Sequence, residues 1–91
     1  MPRYARIREL LAHEDFPHSF TFKFVGKSTA VFEAGLIAFE AQFPSLLKQA
    51  RKPSSKGNHV AMTYLLRADS PDEIIEVYRQ VAILPDILIV L

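Results

Sequence analysis

An α+β domain, with helices laid over one face of an antiparallel sheet, is the architecture that three stretches of this sequence predict. Ser19 to Val25 alternates apolar and polar side chains, as a half-buried strand does. Ser70-Pro71-Asp72-Glu73 opens a helix: a capping residue, a proline at the first helical position, and an acid three residues after the cap. Lys52-Pro53-Ser54-Ser55-Lys56-Gly57-Asn58 is the densest turn chemistry in the chain, and it separates two apolar segments as a hairpin loop would.

Ninety-one residues make one domain, residues 1–91, and 49% hydrophobic residues can build its core without covalent staples. The chain has no cysteine, which excludes disulfides and thiolate zinc sites and fits a reducing compartment. No apolar run is long enough for a signal peptide or a membrane span, so the expected setting is cytoplasmic, with no membrane partner. The net charge of +1 hides an uneven distribution. Between Ala41 and Ala68 there is no acid, but Lys48, Arg51, Lys52, Lys56 and Arg67 all fall there; Asp69, Asp72, Glu73 and Glu76 then follow together. A basic end and an acidic helix are expected.

Taken in order, residues 3–13 read as a short helix with Tyr4, Ile7, Leu10 and Leu11 on its docking side. Pro17 closes the link after it. In the first strand Phe20, Phe22 and Phe24 point one way, toward the core, and Gly26 is expected to stop the strand. Ser28 is expected to cap a helix whose buried stripe is Phe32, Leu36, Phe39 and Phe43 and which ends at Pro44. Gly35 inside that helix marks close backbone packing. Leu46 to Lys52 is read as a strand chiefly because the next one needs a partner. Val60 to Ala68 alternates again, with Val60, Met62, Tyr64 and Leu66 on one face. After the Ser70 box, Ile74, Val77, Tyr78 and Val81 form a stripe; Pro85-Asp86 turns the chain and Ile87 to Leu91 is a last strand. The order is therefore a short helix followed by βαββαβ, the ferredoxin-like two-layer sandwich, with two helices on one face of a four-stranded sheet.

Phe16-Pro17, Phe20-Thr21-Phe22-Lys23, Gly26, the Lys52–Asn58 string, Tyr78 and the ending Val90-Leu91 resemble the YbeD-like family of small bacterial cytosolic proteins. The resemblance spans about Arg8 to Leu91. It implies a ferredoxin-like fold close to the ACT regulatory domains, supports the weak second strand, and brings no catalytic residues and no established activity.

Gly26-Lys27-Ser28-Thr29 sits between a strand and a helix, but the glycine that a phosphate loop needs five residues before Gly26 is Thr21, inside the strand. What survives is a milder anion site: free N–H groups at the helix start with Lys27 beside them, in the place where the resemblance to ACT domains implies a small ligand. The loop residues Lys52, Ser54, Ser55, Lys56, Gly57 and Asn58 exceed what a turn requires and are expected to contact a ligand or partner. A serine–lysine nucleophile there would need a buried neutral lysine, which a solvated loop does not offer. His13, His18 and His59 have no ligand spacing, so no metal and no cofactor is expected.

With the phenylalanines inward, Val25, Leu65, Leu88 and Val90 are expected to look out from the bare face of the sheet, as a self-association surface to which the first helix contributes. The functional expectation is a non-enzymatic regulatory module that binds a partner protein or a small anionic metabolite, with a homodimer in view. The alternative is nucleic-acid backbone binding through the basic hairpin, by Lys48, Arg51, Lys52 and Lys56.

Overall fold

The structure, a computed structural model that describes residues 4–91, has the expected order of elements. These are α1 (Ala5–Leu11), β1 (His18–Lys27), α2 (Ala30–Gln42), β2 (Leu47–Pro53), β3 (His59–Ala68), α3 (Pro71–Ala82) and β4 (Ile87–Val90). The four strands form one antiparallel sheet in the order β2-β3-β1-β4, which is the ferredoxin-like arrangement with β1 and β3 central. The weakly patterned segment before the hairpin is indeed a strand. Every one of its residues is exposed, which is why it shows no alternation.

The core lies between the sheet and α2 and α3. Phe22 and Phe24 are each 1% exposed, and Phe32, Tyr64, Ile74 and Val77 close around them. Phe20 faces the same way but sits at the margin, half-buried against Phe22 and Tyr78. Phe24 stacks on Tyr64 at 5.7 Å between ring centroids, and Phe39 meets both edge-on.

Four local expectations change. Gly26 does not stop β1; the strand continues to Lys27. Its lack of a side chain is required by packing: a Cβ there would lie 2.3 Å from the Phe32 ring, which is completely buried. Thr29, not Ser28, caps α2, with its Oγ1 accepting the Phe32 N–H at 3.1 Å. Ser70 occupies the cap position of α3 but its hydroxyl makes no capping bond. Glu73 reaches back one residue further than a capping box would, accepting the Asp69 N–H at 2.5 Å. Gly35 behaves as expected, since a Cβ there would meet Pro85 Cδ at 2.8 Å.

The first helix covers Ala5–Leu11 rather than 3–13, and Arg3 lies outside the described residues. Leu11 is buried and Ile7 packs on the core, but Leu10, expected beside them, is 61% exposed. α1 lies along α3: Arg8 pairs with Asp72, and Tyr4 and Ile7 share a groove with Tyr78, Ala82 and Val90. It therefore extends the helix layer and leaves the other face of the sheet uncovered.

Candidate functional site

Strand register decides which residues the uncovered face presents, because paired residues share a face and neighbours alternate. Phe22 and Phe24 point to the helices, so Thr21, Lys23, Val25 and Lys27 point away. Their partners on β3 are Leu65, Thr63, Ala61 and His59. On β2, Leu47 pairs with Leu65 and Lys52 with Ala61, which brings both to the same face. None of the four strands carries an acid. The face is thus an apolar strip, with Val25, Ala61, Leu65 and Leu47, set among Lys23, Lys27 and Lys52.

β4 departs from the expected pattern. Its pairing with β1 slips between Val25 and Gly26, so Ile89 lies opposite Val25 while Val90 lies opposite Phe24. Val90, expected on the open face, is therefore on the helix side, where it lines the groove beside Tyr4 and Tyr78. Ile89, 51% exposed, takes its place. Leu88 sits at the bulge and is 45% exposed.

The two turn segments expected to carry function meet at one end of the sheet, where Ser28 N–H donates to Asn58 C=O at 3.0 Å. In the hairpin loop, Ser54 is spent on the turn. Its Oγ accepts the His59 N–H at 3.1 Å, its C=O accepts the Gly57 N–H at 2.9 Å, and Gly57 adopts a φ of 74°. Ser55, Lys56 and Asn58 remain exposed at the tip. Behind the loop, Val25, Lys52, Pro53, Ser54, His59 and Ala61 line a shallow depression of about 220 Å³ on the open face.

The Gly26–Thr29 turn is supplied with an anion by the chain itself. Lys27 N–H donates to the Asp86 carbonyl at 3.0 Å, and Thr29 Oγ1 donates to the Asp86 carboxylate at 2.6 Å. Thr29 N–H is taken by the Lys27 carbonyl at 2.9 Å. Asp86 adopts a φ of 59°, which aspartate tolerates, as the Pro85-Asp86 turn requires. Nothing in that turn's sequence marks the reach of its carboxylate to Thr29.

Two cations of the basic hairpin are also committed. Lys48 and Arg51 pair with Tyr64 and Met62 in the sheet, so both face the helices. Lys48 Nζ lies 3.1 Å from Glu40, and Arg51 pairs with Glu33, both on α2. The hydrogen bond that Arg51 donates to Glu33 raises the Arg51 pKa further. Tyr64 donates to Glu40 at 2.5 Å, and burial, then that carboxylate, push its phenol well above the ordinary tyrosine range. Lys52 and Lys56 have no acidic partner among the described residues. His13, His18 and His59 do not converge with acids on any cluster able to hold a metal, among the described residues. Among the described residues no helix is long and apolar enough to cross a membrane.

A family model described as "Protein of unknown function (DUF493)" matches residues 12–91. The chain belongs to the DUF493 family. Within this family's bacterial relatives, a UPF0250 protein of Paraburkholderia phytofirmans is 31% identical over 80 residues, covering 85% of this chain and 90% of that one. A UPF0250 protein of Idiomarina loihiensis is 32% identical over 78 residues, covering 85% and 89%. The YbeD-like resemblance carried by the Lys52–Asn58 string therefore stands. The DUF493 chain is also similar in fold to the C-terminal domain of the MgtC protein from Mycobacterium tuberculosis. That match has a TM-score of 0.51 at 11% identity and covers 86% of this chain and 88% of that domain.

Proposed function

We propose that this protein is a non-enzymatic, regulatory, ACT-like binding module of the bacterial cytoplasm that docks an acidic protein surface on its open sheet face. The observation that carries the reading is the composition of that face: apolar side chains interspersed with Lys23, Lys27 and Lys52, with no acid on any strand. An apolar strip supplies the area to bury, and the lysines select a partner by charge. The small anionic ligand expected at Gly26–Thr29 would have to compete with Asp86, so the reading rests on a protein partner.

The test is crosslinked affinity capture from the native cell with the wild type, with Lys23→Glu/Lys52→Glu, and with Leu10→Ser on α1 as a control. The docked partner is expected to be acidic, to be lost with the double reversal and to survive the control. An unchanged captured set with the reversal would refute this site.

A second reading, binding of nucleic-acid backbone by the hairpin, is favoured by Lys52 and Lys56 alone, since Lys48 and Arg51 are held by α2. Two phosphate contacts give a log–log salt slope no steeper than about −2. A markedly steeper slope for a labelled oligonucleotide would require cations beyond these. The phenylalanines of β1 are not offered for base stacking, because Phe22 and Phe24 are in the core, and among the open-face residues named above only His59 carries a ring.

A further inference from the structure

A helix on the surface of a two-layer domain ordinarily shows solvent a polar side. α3 does so, with Asp72, Glu73 and Arg79 exposed. α2 does not. Its outward residues are Ala30, Val31, Ala34, Ile37, Ala38 and Ala41, all exposed and none charged. Val31 is 56% and Ile37 70% exposed, and Ile83 beyond the end of α3 is 73% exposed. The helix's two acids lie to one side, where Arg51 and Lys48 neutralise them. α1 leaves this surface clear because it packs along α3 and the β4 edge.

We infer that the outer face of α2 is a homodimer interface, and that its occupant is a second copy of this chain packed α2 against α2 about a two-fold axis through Ala34. Two observations select a copy of the same chain. The first is charge. A two-fold axis sets each residue patch against itself, so a self-associating face must not carry one sign of charge. The open sheet face fails this condition, because stacking it on itself would bring one set of Lys23, Lys27 and Lys52 against another, with no acid on any strand to offset them. The α2 face meets it with no charge at all.

The second is shape. At about 100° per residue, Ala34 lies at the middle of the face, with Ile37 about 60° to one side and Val31 about 60° to the other. An antiparallel two-fold reverses direction along the helix and preserves side. Ile37 then comes down on Ala30 of the second copy, and Val31 on Ala38 of the second copy. Each large side chain meets a small one, and the arrangement is reciprocal. Beside Ala38 a depression of about 190 Å³, floored by Gly35 and bounded by Ile83 and Pro85, leaves room for the incoming valine. With Ala34 facing its own copy on the axis, the helix axes come to about 10 Å, within the ordinary range of helix packing. This surface is separate from the sheet face, so both can be occupied at once.

The patch is small, so the dimer is weak and depends on concentration. Sedimentation equilibrium from about 10 μM to about 1 mM spans the range in which such an interface associates. The wild type is expected to pass from monomer to dimer. Ala34→Glu, which places two carboxylates on the axis at a solvent-exposed helix position, is expected to raise the dissociation constant about tenfold or more. Leu65→Ser on the sheet face is expected to leave it unchanged. The chain's lack of cysteine permits a second test. Ala34→Cys is expected to form a symmetric disulfide dimer on mild oxidation, faster than Lys23→Cys. A wild type that stays monomeric throughout, a dimer indifferent to Ala34→Glu but lost with Leu65→Ser, or equal cross-linking from the two thiols would each overturn the inference.

Discussion

Gly26→Ala tests the packing account of the sheet most directly. The new methyl carbon would stand 2.3 Å from two carbons of the Phe32 ring and 2.7 Å from a third. Carbon atoms rest at about 3.5–4.0 Å, so ring and strand must part by more than 1 Å. The ring has no free side to move into, being fully buried beneath α2. Overpacking of this kind costs typically 1–3 kcal/mol, and the upper end, about 3 kcal/mol, is expected here. For a domain of this size that lowers Tm by about 12–24 °C, leaving the protein folded at room temperature. The assay is thermal and urea unfolding followed by circular dichroism. Phe32→Leu removes the two nearest ring carbons and alone is expected to cost roughly 1–2 kcal/mol. The double variant should then be more stable than the sum of the two losses by at least about 1 kcal/mol. If Gly26→Ala changes stability by less than about 0.5 kcal/mol, or the double variant is simply additive, the glycine is not held by Phe32 and the reasoning fails.

Gly57 gives the opposite case. Nothing lies within 4 Å of a Cβ there, but φ is +74°. Gly57→Ala is expected to cost about 1 kcal/mol from backbone conformation alone, and Gly57→Asn less, as urea unfolding of the three proteins would show. Tyr64 and Tyr78 both have phenol pKa values raised by burial, the first also by Glu40. A raised folded-state pKa means the unfolded chain releases protons first. The associated stability is intact below about pH 10 and falls above it, by at most about 1.4 kcal/mol per pH unit for each tyrosine. Chemical denaturation between pH 8 and about pH 11.5 should show this loss, and Tyr64→Phe should reduce its slope.

Much of the fold was legible because it rests on local pattern. The alternation of Phe20, Phe22 and Phe24 and the Pro71 helix start each need only a few neighbouring residues to be read. What escaped depends on residues distant in sequence. Gly26 reads as a turn glycine until the Phe32 ring is placed above it. Val90 and Ile89 exchange faces because of one bulge, and no feature of Ile87 to Leu91 marks that slip. Lys48 and Arg51 look like free cations until the register turns them toward Glu40 and Glu33. The alanines of α2 opposite the stripe of Phe32, Leu36 and Phe39 are as plain in the sequence as the stripe itself.

The central position of β1 also shapes how the chain reaches this state. Its bonds run to β3, between 32 and 50 residues later, and to β4, 66 residues on at Phe24 and Val90. The β2–β3 hairpin closes over only the few residues between Pro53 and Val60. Local closure of that kind takes microseconds, whereas long-range pairing must first overcome chain entropy. The hairpin is therefore expected to form early and β1 to arrive late, as the wedge that makes the sheet cooperative, which slower folding of a β1 variant with an unchanged hairpin would show.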